Sequence, residues 1–334
     1  MVSSEFLDTL WYGEHPLATV LAPLGWIYGG CAWLRRMAYR VGILPARRVD
    51  VPVIVVGNLT VGGTGKTPLV IWIVEFLKSE GYRPGIVSRG YGGTVTRYPQ
   101  QVRPDSNPDL VGDEPVLIAQ RTGCPVATSP RRWQAARELV KHTPCDILVC
   151  DDGLQHYALH RDIDIAVIDG DRRFGNGRCL PAGPLREQPS RLESVDMIVA
   201  NAKAGRAEFL MEYEPLALRS LQDDARRLDI ESLRGRQVHA VAGIGNPSRF
   251  FSWLRSREVH IIKHEFPDHH RFEAEEVRFG DDLPVVMTEK DAVKCRSFAG
   301  DDMWYLPIEA RMSPAFEHRL GVLLKEIPDG QEAA

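Results

Sequence analysis

Residues 53–68 read Val53-Ile-Val-Val-Gly-Asn-Leu-Thr-Val-Gly-Gly-Thr-Gly-Lys-Thr-Pro68. A β-branched run, Val53 to Val56, stops at Gly57, and the glycine-rich turn Gly62-Gly63-Thr64-Gly65 follows. Lys66 and Thr67 then open an amphipathic stretch from Leu69 to Leu77. Strand, glycine turn and helix in that order make a phosphate-binding loop. Glycines let backbone N–H groups face a phosphate with no Cβ in the way. The loop from Thr60 through Val61, Gly62, Gly63, Thr64 and Gly65 would wrap the phosphates. Lys66 would reach the β- and γ-phosphates, and the Thr67 hydroxyl would face Mg²⁺. The usual G-x-x-x-x-G-K-[ST] spacing wants glycine where this chain has Thr60. The Gly62-Gly63 pair is expected to supply the turn instead.

Working outward, the pattern from Val51 alternates short apolar strands with helices. Strands are expected at 51–56, 84–87, 125–127, 146–150, 163–169, 197–200, 238–242, 259–262, 285–288 and 304–306. Helices are expected at 68–80, 114–122, 131–142 and 247–256. This predicts an α/β fold of the P-loop NTPase type, with a mostly parallel sheet covered on both faces. Residues 170–193, rich in Gly, Pro and Arg, read as a long functional loop. The charged stretch 210–236 suggests a boundary. Three units are expected: an N-terminal apolar and basic segment (1–48), a P-loop core (49–210) and a smaller α/β lobe (211–330). Fraying is expected from Pro328.

Residues 16–34 carry no charge, and Arg35, Arg36 and Arg40 follow. Three readings compete: an interfacial helix with a basic skirt, a single membrane span, and a helix packed on the core or on a partner. The formal net charge of −4 gives no support to nucleic-acid binding. The six cysteines are scattered without a C-x-x-C pair, which argues against a zinc site and suits a reducing compartment.

The strand Cys145-Asp-Ile-Leu-Val-Cys150 ends in Asp151 and Asp152. In phosphate-loop enzymes a second strand brings an acid to the metal, so either aspartate could serve Mg²⁺. Gln155 and His156 continue that strand end and could orient a substrate. Arg89, in Ser88-Arg-Gly-Tyr-Gly-Gly93, and the adjacent Arg131 and Arg132 could clamp phosphate or simply sit in solvated turns. Asp113, in Gly112-Asp-Glu-Pro115, reads equally as a helix N-cap. Arg186 and Glu187 stand on a Pro/Gly scaffold that suits a polar ligand. Asp268-His269-His270 offers a carboxylate beside two histidines, one of which could take a proton near neutral pH. Thr288-Glu-Lys-Asp291 and Asn201-Ala-Lys203 are imperfect guanine readers, which favours ATP over GTP.

Taken in order, these motifs closely resemble the tetraacyldisaccharide 4′-kinase family, the lipid A 4′-kinases of Gram-negative bacteria. The motifs that carry the resemblance are Val55–Pro68, Ser88–Gly93, Gly112–Pro115, Asp151–His156, Leu180–Glu187, Phe266–His269 and Thr288–Asp291. The resemblance implies transfer of the ATP γ-phosphoryl group, with Mg²⁺, to the 4′-hydroxyl of a lipid-linked glucosamine disaccharide 1-phosphate. It implies work at the cytoplasmic face of the inner membrane, with no obligate protein partner inferred. It also assigns Asp113 and His269, rather than His270, to activation of the sugar hydroxyl. The alternative is a membrane-associated nucleotide-switch ATPase or GTPase acting on a protein partner.

Overall fold

The computed structural model describes residues 4–327. The expected fraying from Pro328 lies outside them. The strands are β1 (Val53–Asn58), β2 (Pro84–Ser88), β3 (Gln100–Val102), β4 (Val126–Thr128), β5 (Ile147–Cys150), β6 (Ile163–Asp169), β7 (Met197–Asn201) and β8 (Phe209–Pro215). They continue with β9 (Leu218–Ser220), β10 (Arg227–Leu228), β11 (Gln237–Ala242), β12 (His260–Glu265), β13 (Val285–Thr288), β14 (Met303–Leu306) and β15 (Ile308–Met312). Nine of them form one sheet, in the order β15-β8-β7-β6-β1-β5-β2-β4-β3. Six form a second, in the order β10-β9-β14-β13-β11-β12.

The centre of the large sheet is parallel, and its strands are apolar on both faces, as burial from both sides requires. Ile54 and Val56 face a core built with Leu69, Ile73 and Leu77 of the helix Lys66–Ser79. Val53 and Val55 face the other way, onto Ala135, Ala136 and Leu139 of the helix Arg132–His142. Period-two alternation in one strand thus serves two layers of helices. The second sheet repeats the plan, with Val238, Ala240 and Ala242 on one face and Val241 on the other.

The strand pairing corrects the expected boundary at residues 210 and 211. That point lies inside β8, which pairs parallel with β7. Residues 308–326 also return to the large sheet: β15 pairs antiparallel with β8, and Phe316, Leu320 and Leu323 of the helix Pro314–Glu326 join its core. The second lobe is therefore an insertion, residues 216–307, and the chain crosses between lobes twice. The crossings lie side by side, where the Leu216 N–H donates to the Pro307 carbonyl (3.0 Å).

At the N-terminus the helices Ser4–Tyr12, Leu17–Val20 and Ala22–Arg40 lie against the 174–188 loop. The long helix buries Ala22, Gly25 and Gly29, while Leu24, Trp26, Ile27, Trp33 and Leu34 are exposed. Gly25 is pressed on the loop so closely that a Cβ there would stand 2.8 Å from the Cys179 carbonyl oxygen. Among the described residues no helix is long and apolar enough to cross a membrane.

Candidate active site

The phosphate loop leaves β1 at Asn58 and enters the helix at Lys66. Its positive backbone angles fall on Gly62 (φ 108°) and Gly65 (φ 87°), not at Thr60. Thr60 is buried in a backbone bridge to Leu185, so the missing glycine is replaced by an anchor to the 180–187 loop. Gly65 has no room for a side chain, because a Cβ would stand 1.8 Å from Tyr213 Oη. Asn58 spans the turn: Nδ2 donates to the Thr60 carbonyl (2.8 Å) and Oδ1 accepts from Lys66 Nζ (3.2 Å). Asn201 Nδ2 holds the Thr64 carbonyl from behind (2.7 Å).

The two aspartates after β5 separate in role. Asp152 takes both oxygens to Arg186 Nη1 (3.1 and 3.0 Å) and lies 3.5 Å from Lys66 Nζ. Burial alone would raise its pKa, but Lys66 and Arg186 outweigh it and hold the carboxyl well below the usual range. Asp151 is 1% exposed. Its Oδ2 accepts from Ser88 Oγ (3.3 Å), and its Oδ1 has no hydrogen-bond partner among the described residues. Burial, with Glu114 and Asp152 nearby, pushes it up to about 7. The orphaned carboxylate oxygen of Asp151, next in the chain to Asp152, and the Thr67 hydroxyl at the head of the helix are hard oxygen donors of the kind that suits a cation such as Mg²⁺.

Asp113 and His269 meet across the lobes. His269 Nδ1 lies 3.0 and 3.1 Å from the two Asp113 oxygens. Asp113 is the first residue of the helix Asp113–Thr122 rather than its cap, a position held by Gly112. Burial opposes ionisation of Asp113, but Lys290, His269 and Lys294 outweigh it and hold its pKa far down. Burial also pulls His269 down, yet the Asp113 hydrogen bond prevails and leaves its pKa raised above 6.5. The Tyr91 ring stands edge-on to the imidazole at 4.8 Å. His270 turns away, with Nε2 2.9 Å from Glu276.

Gly62 to Thr67, Tyr91, Asp152, Arg186 and His269 line one cleft of about 1350 Å³, walled by the phosphate loop, the second lobe and the N-terminal helices, with Asp113 behind His269. Arg89, His156, Arg186 and Glu187 line it too. Gln155 Nε2 donates to the Asn58 carbonyl (2.9 Å). Glu187 is buried and accepts from Tyr157 Oη (2.5 Å), so Arg186 and Glu187 are not a surface ion pair with each other. Burial, then the nearby Arg132 and Arg161, push His156 down to about 3, which keeps it neutral.

A family model described as Tetraacyldisaccharide-1-P 4′-kinase matches residues 17–325. A tetraacyldisaccharide 4′-kinase from Nitrosococcus oceani is 50% identical over 323 residues, covering 97% of this chain and 95% of the relative. One from Alkalilimnicola ehrlichii is 51% identical over 324 residues, covering 96% and 97%. The chain belongs to the tetraacyldisaccharide 4′-kinase family. A crystal structure of LpxK from Aquifex aeolicus in complex with ATP matches it with a TM-score of 0.78, at 27% identity, over 93% of this chain and 99% of that one.

The sequence reading of this kinase family member missed several residues of the cleft. Tyr91, Glu114 and Lys290 sat inside motifs already singled out, so the signal was there but unassigned. Arg132, whose sequence fits a clamp and a solvated turn alike, donates from Nη2 to the Asp152 carbonyl (2.9 Å). Asn246, Arg249 and Trp253 of the second lobe gave no sequence signal beyond an amphipathic helix.

Proposed function

We infer that the protein transfers the γ-phosphoryl group of ATP to the 4′-hydroxyl of tetraacyldisaccharide 1-phosphate, giving the lipid IVA precursor of lipid A. The observation that carries this reading is the Asp113–His269 pair, formed by two lobes at the edge of a cleft that also holds the phosphate loop. A sugar hydroxyl is a poor nucleophile and needs a base in line with the phosphorus. Asp113 accepts the Nδ1 hydrogen of His269, which fixes the tautomer and leaves Nε2 to receive the proton. The hydroxyl O–H bond breaks as the O–P bond forms, the proton goes to Nε2, and ADP leaves. Lys66 balances negative charge on the phosphates. Thr67 and Asp151 would hold Mg²⁺, with Asp152 beside them. The bound ion would supply further charge neutralisation. Arg89, Gln155, His156, Arg186 and Glu187 serve as the surface that orients the acceptor.

The acceptor's acyl chains cannot leave a bilayer cheaply, since each buried CH₂ is worth ~0.8 kcal/mol. The exposed apolar face of the helix Ala22–Arg40 would bring the cleft to them at the cytoplasmic face of the inner membrane, where ATP is available. Arg35, Arg36 and Arg40 would meet anionic headgroups.

The test is a phosphoryl-transfer assay with γ-labelled ATP, Mg²⁺ and tetraacyldisaccharide 1-phosphate in mixed micelles. Lys66→Ala runs alongside. Label on the lipid, lost in the variant, is the expected result. Label released only as free phosphate, with or without lipid, would overturn the kinase reading and favour a nucleotide switch.

A further inference from the structure

The motif Thr288-Glu289-Lys290-Asp291 has no part in the reaction described above. Two of its members act locally: Thr288 Oγ1 donates to Asp291 Oδ2 (2.6 Å), which also accepts from the Gly243 N–H (2.8 Å). Lys290 instead lines the cleft. Its Nζ lies 2.9 Å from Glu114 Oε1, 3.0 Å from Asp268 Oδ1 and 3.4 Å from His269 Nε2. Two other motifs distant in the chain therefore converge on this partly buried ammonium.

An ammonium carries three hydrogens and no lone pair. Its approach to His269 Nε2 requires a lone pair on that nitrogen, which puts the imidazole hydrogen on Nδ1, facing Asp113. Asp268 Oδ2 lies 3.7 Å from the same Nε2. Unbalanced, that carboxylate would draw a proton onto Nε2 and close it to a substrate hydroxyl. Lys290 pairs with Asp268 and removes that pull. The groups facing the imidazole are Asp113, Asp268, Lys290 and the Tyr91 ring, with Lys294 behind Asp113 (3.9 Å) and Glu114 behind Lys290.

We propose that Lys290 is a positioning residue for the base: held by Glu114 and Asp268, it keeps His269 Nε2 free of a proton and open to the acceptor hydroxyl. This rests on His269 being the base. The incoming hydroxyl takes the place of Lys290 as donor to Nε2. Once Nε2 is protonated, the adjacent ammonium disfavours the imidazolium and speeds loss of the proton to solvent.

The experiment has two readouts on the full chain. One is kcat/KM for the acceptor against pH, which reports the free enzyme; the other is the titration of the His269 side chain by ¹H–¹⁵N NMR in that same state. Removing a like charge at this range lets the imidazole pKa rise by about one unit. Lys290→Met is expected to move both the acidic limb and the NMR titration up by about one pH unit. On the limb this is about a tenfold loss of kcat/KM, shrinking toward the alkaline plateau. Lys290→Arg restores the charge and brings both back toward the wild-type values. Lys290→Gln, also neutral, carries the same expectation if Lys290→Met fails to fold. A limb and a titration that stay in place in the neutral variant would overturn the proposal. A wild-type limb that does not follow the His269 titration would remove His269 as the base, and the proposal with it.

Discussion

His269 and His270 are chain neighbours with different environments. His269 sits at φ 60°, a left-handed angle that costs a non-glycine residue about 1–3 kcal/mol. That turn aims its ring at Asp113, while His270 stacks on Phe266 and pairs with Glu276. Asp152 is held at a similar angle, φ 48°. Both strained residues border the cleft, and no local sequence pattern marks such strain. Composition and spacing left the two histidines equivalent, and only the resemblance separated them. The pair carries a pH signature with a defined sign. Asp113 raises the His269 pKa, and on the proposed reading His269 is a base that must be unprotonated, so activity should be lost as pH falls through that raised value. Asp113→Asn removes the main raising contact. The acidic limb of kcat should move to lower pH, while kcat at the plateau drops by about 10²–10⁴ as the tautomer is released. KM for ATP should change little. A limb that stays in place, measured from pH 5 to 9, would mean that Asp113 does not set the His269 charge.

At the scale of elements, the strand–turn–helix at residues 53–79 was legible because its apolar run, glycines and helix period all agree. The expected strands at 163–169 and 285–288 match β6 and β13 end to end. The strands with no clear sequence signal, β3, β8, β9, β10 and β15, lie at sheet edges or on the crossings between lobes. There one face is solvated, and Phe-Leu-Met-Glu-Tyr-Glu-Pro in β8 does not read as a buried run. Yet β7 and β8 shape the phosphate loop. Asn201, fully buried, holds the Thr64 carbonyl, and Tyr213 Oη fills the space beside Gly65. Asn201 Oδ1 accepts in turn from Arg249 Nη1 (2.8 Å), on the helix Pro247–Ser256 of the second lobe. Arg249 also reaches Asp169 (2.8 Å) and Asp171 (3.0 Å). The second lobe therefore grips the loop through one guanidinium. Arg249→Ala should raise KM for ATP about tenfold, the equivalent of about 1.4 kcal/mol. In a double-mutant cycle with Asn201→Ala, the two effects should couple by about 0.5–3 kcal/mol. Strict additivity would show that Arg249 does not act on the loop through Asn201.

Across the whole molecule, the long N-terminal helix is turned outside-in for a protein in water. The helix Ala22–Arg40 buries its smallest residues against the 174–188 loop and presents its largest apolar ones outward. Hydropathy alone could not choose among span, interface and packing. The glycine face settles the orientation, because Gly25 and Gly29 permit a close approach that Leu or Trp would block. Trp26 is 73% and Ile27 65% exposed, so neither contributes much to the folded core. Tyr28 and Arg35 of the same helix line the cleft, which ties this surface to the site. On the proposed membrane reading, the exposed side chains enter the acyl boundary when the enzyme meets its acceptor. Burying a large apolar side chain is worth about 1.5–3 kcal/mol. The double change Trp26→Glu with Ile27→Glu should then weaken partition onto vesicles with anionic headgroups by about a hundredfold or more. The melting temperature should stay within a few degrees, since the changed residues face outward. Higher salt should weaken wild-type binding further, because Arg35, Arg36 and Arg40 would add about 1 kcal/mol each near an anionic surface. Sedimentation with vesicles reads all of this. Partition unchanged by the double substitution would assign the apolar face to something other than lipid and leave delivery of the acceptor to another surface.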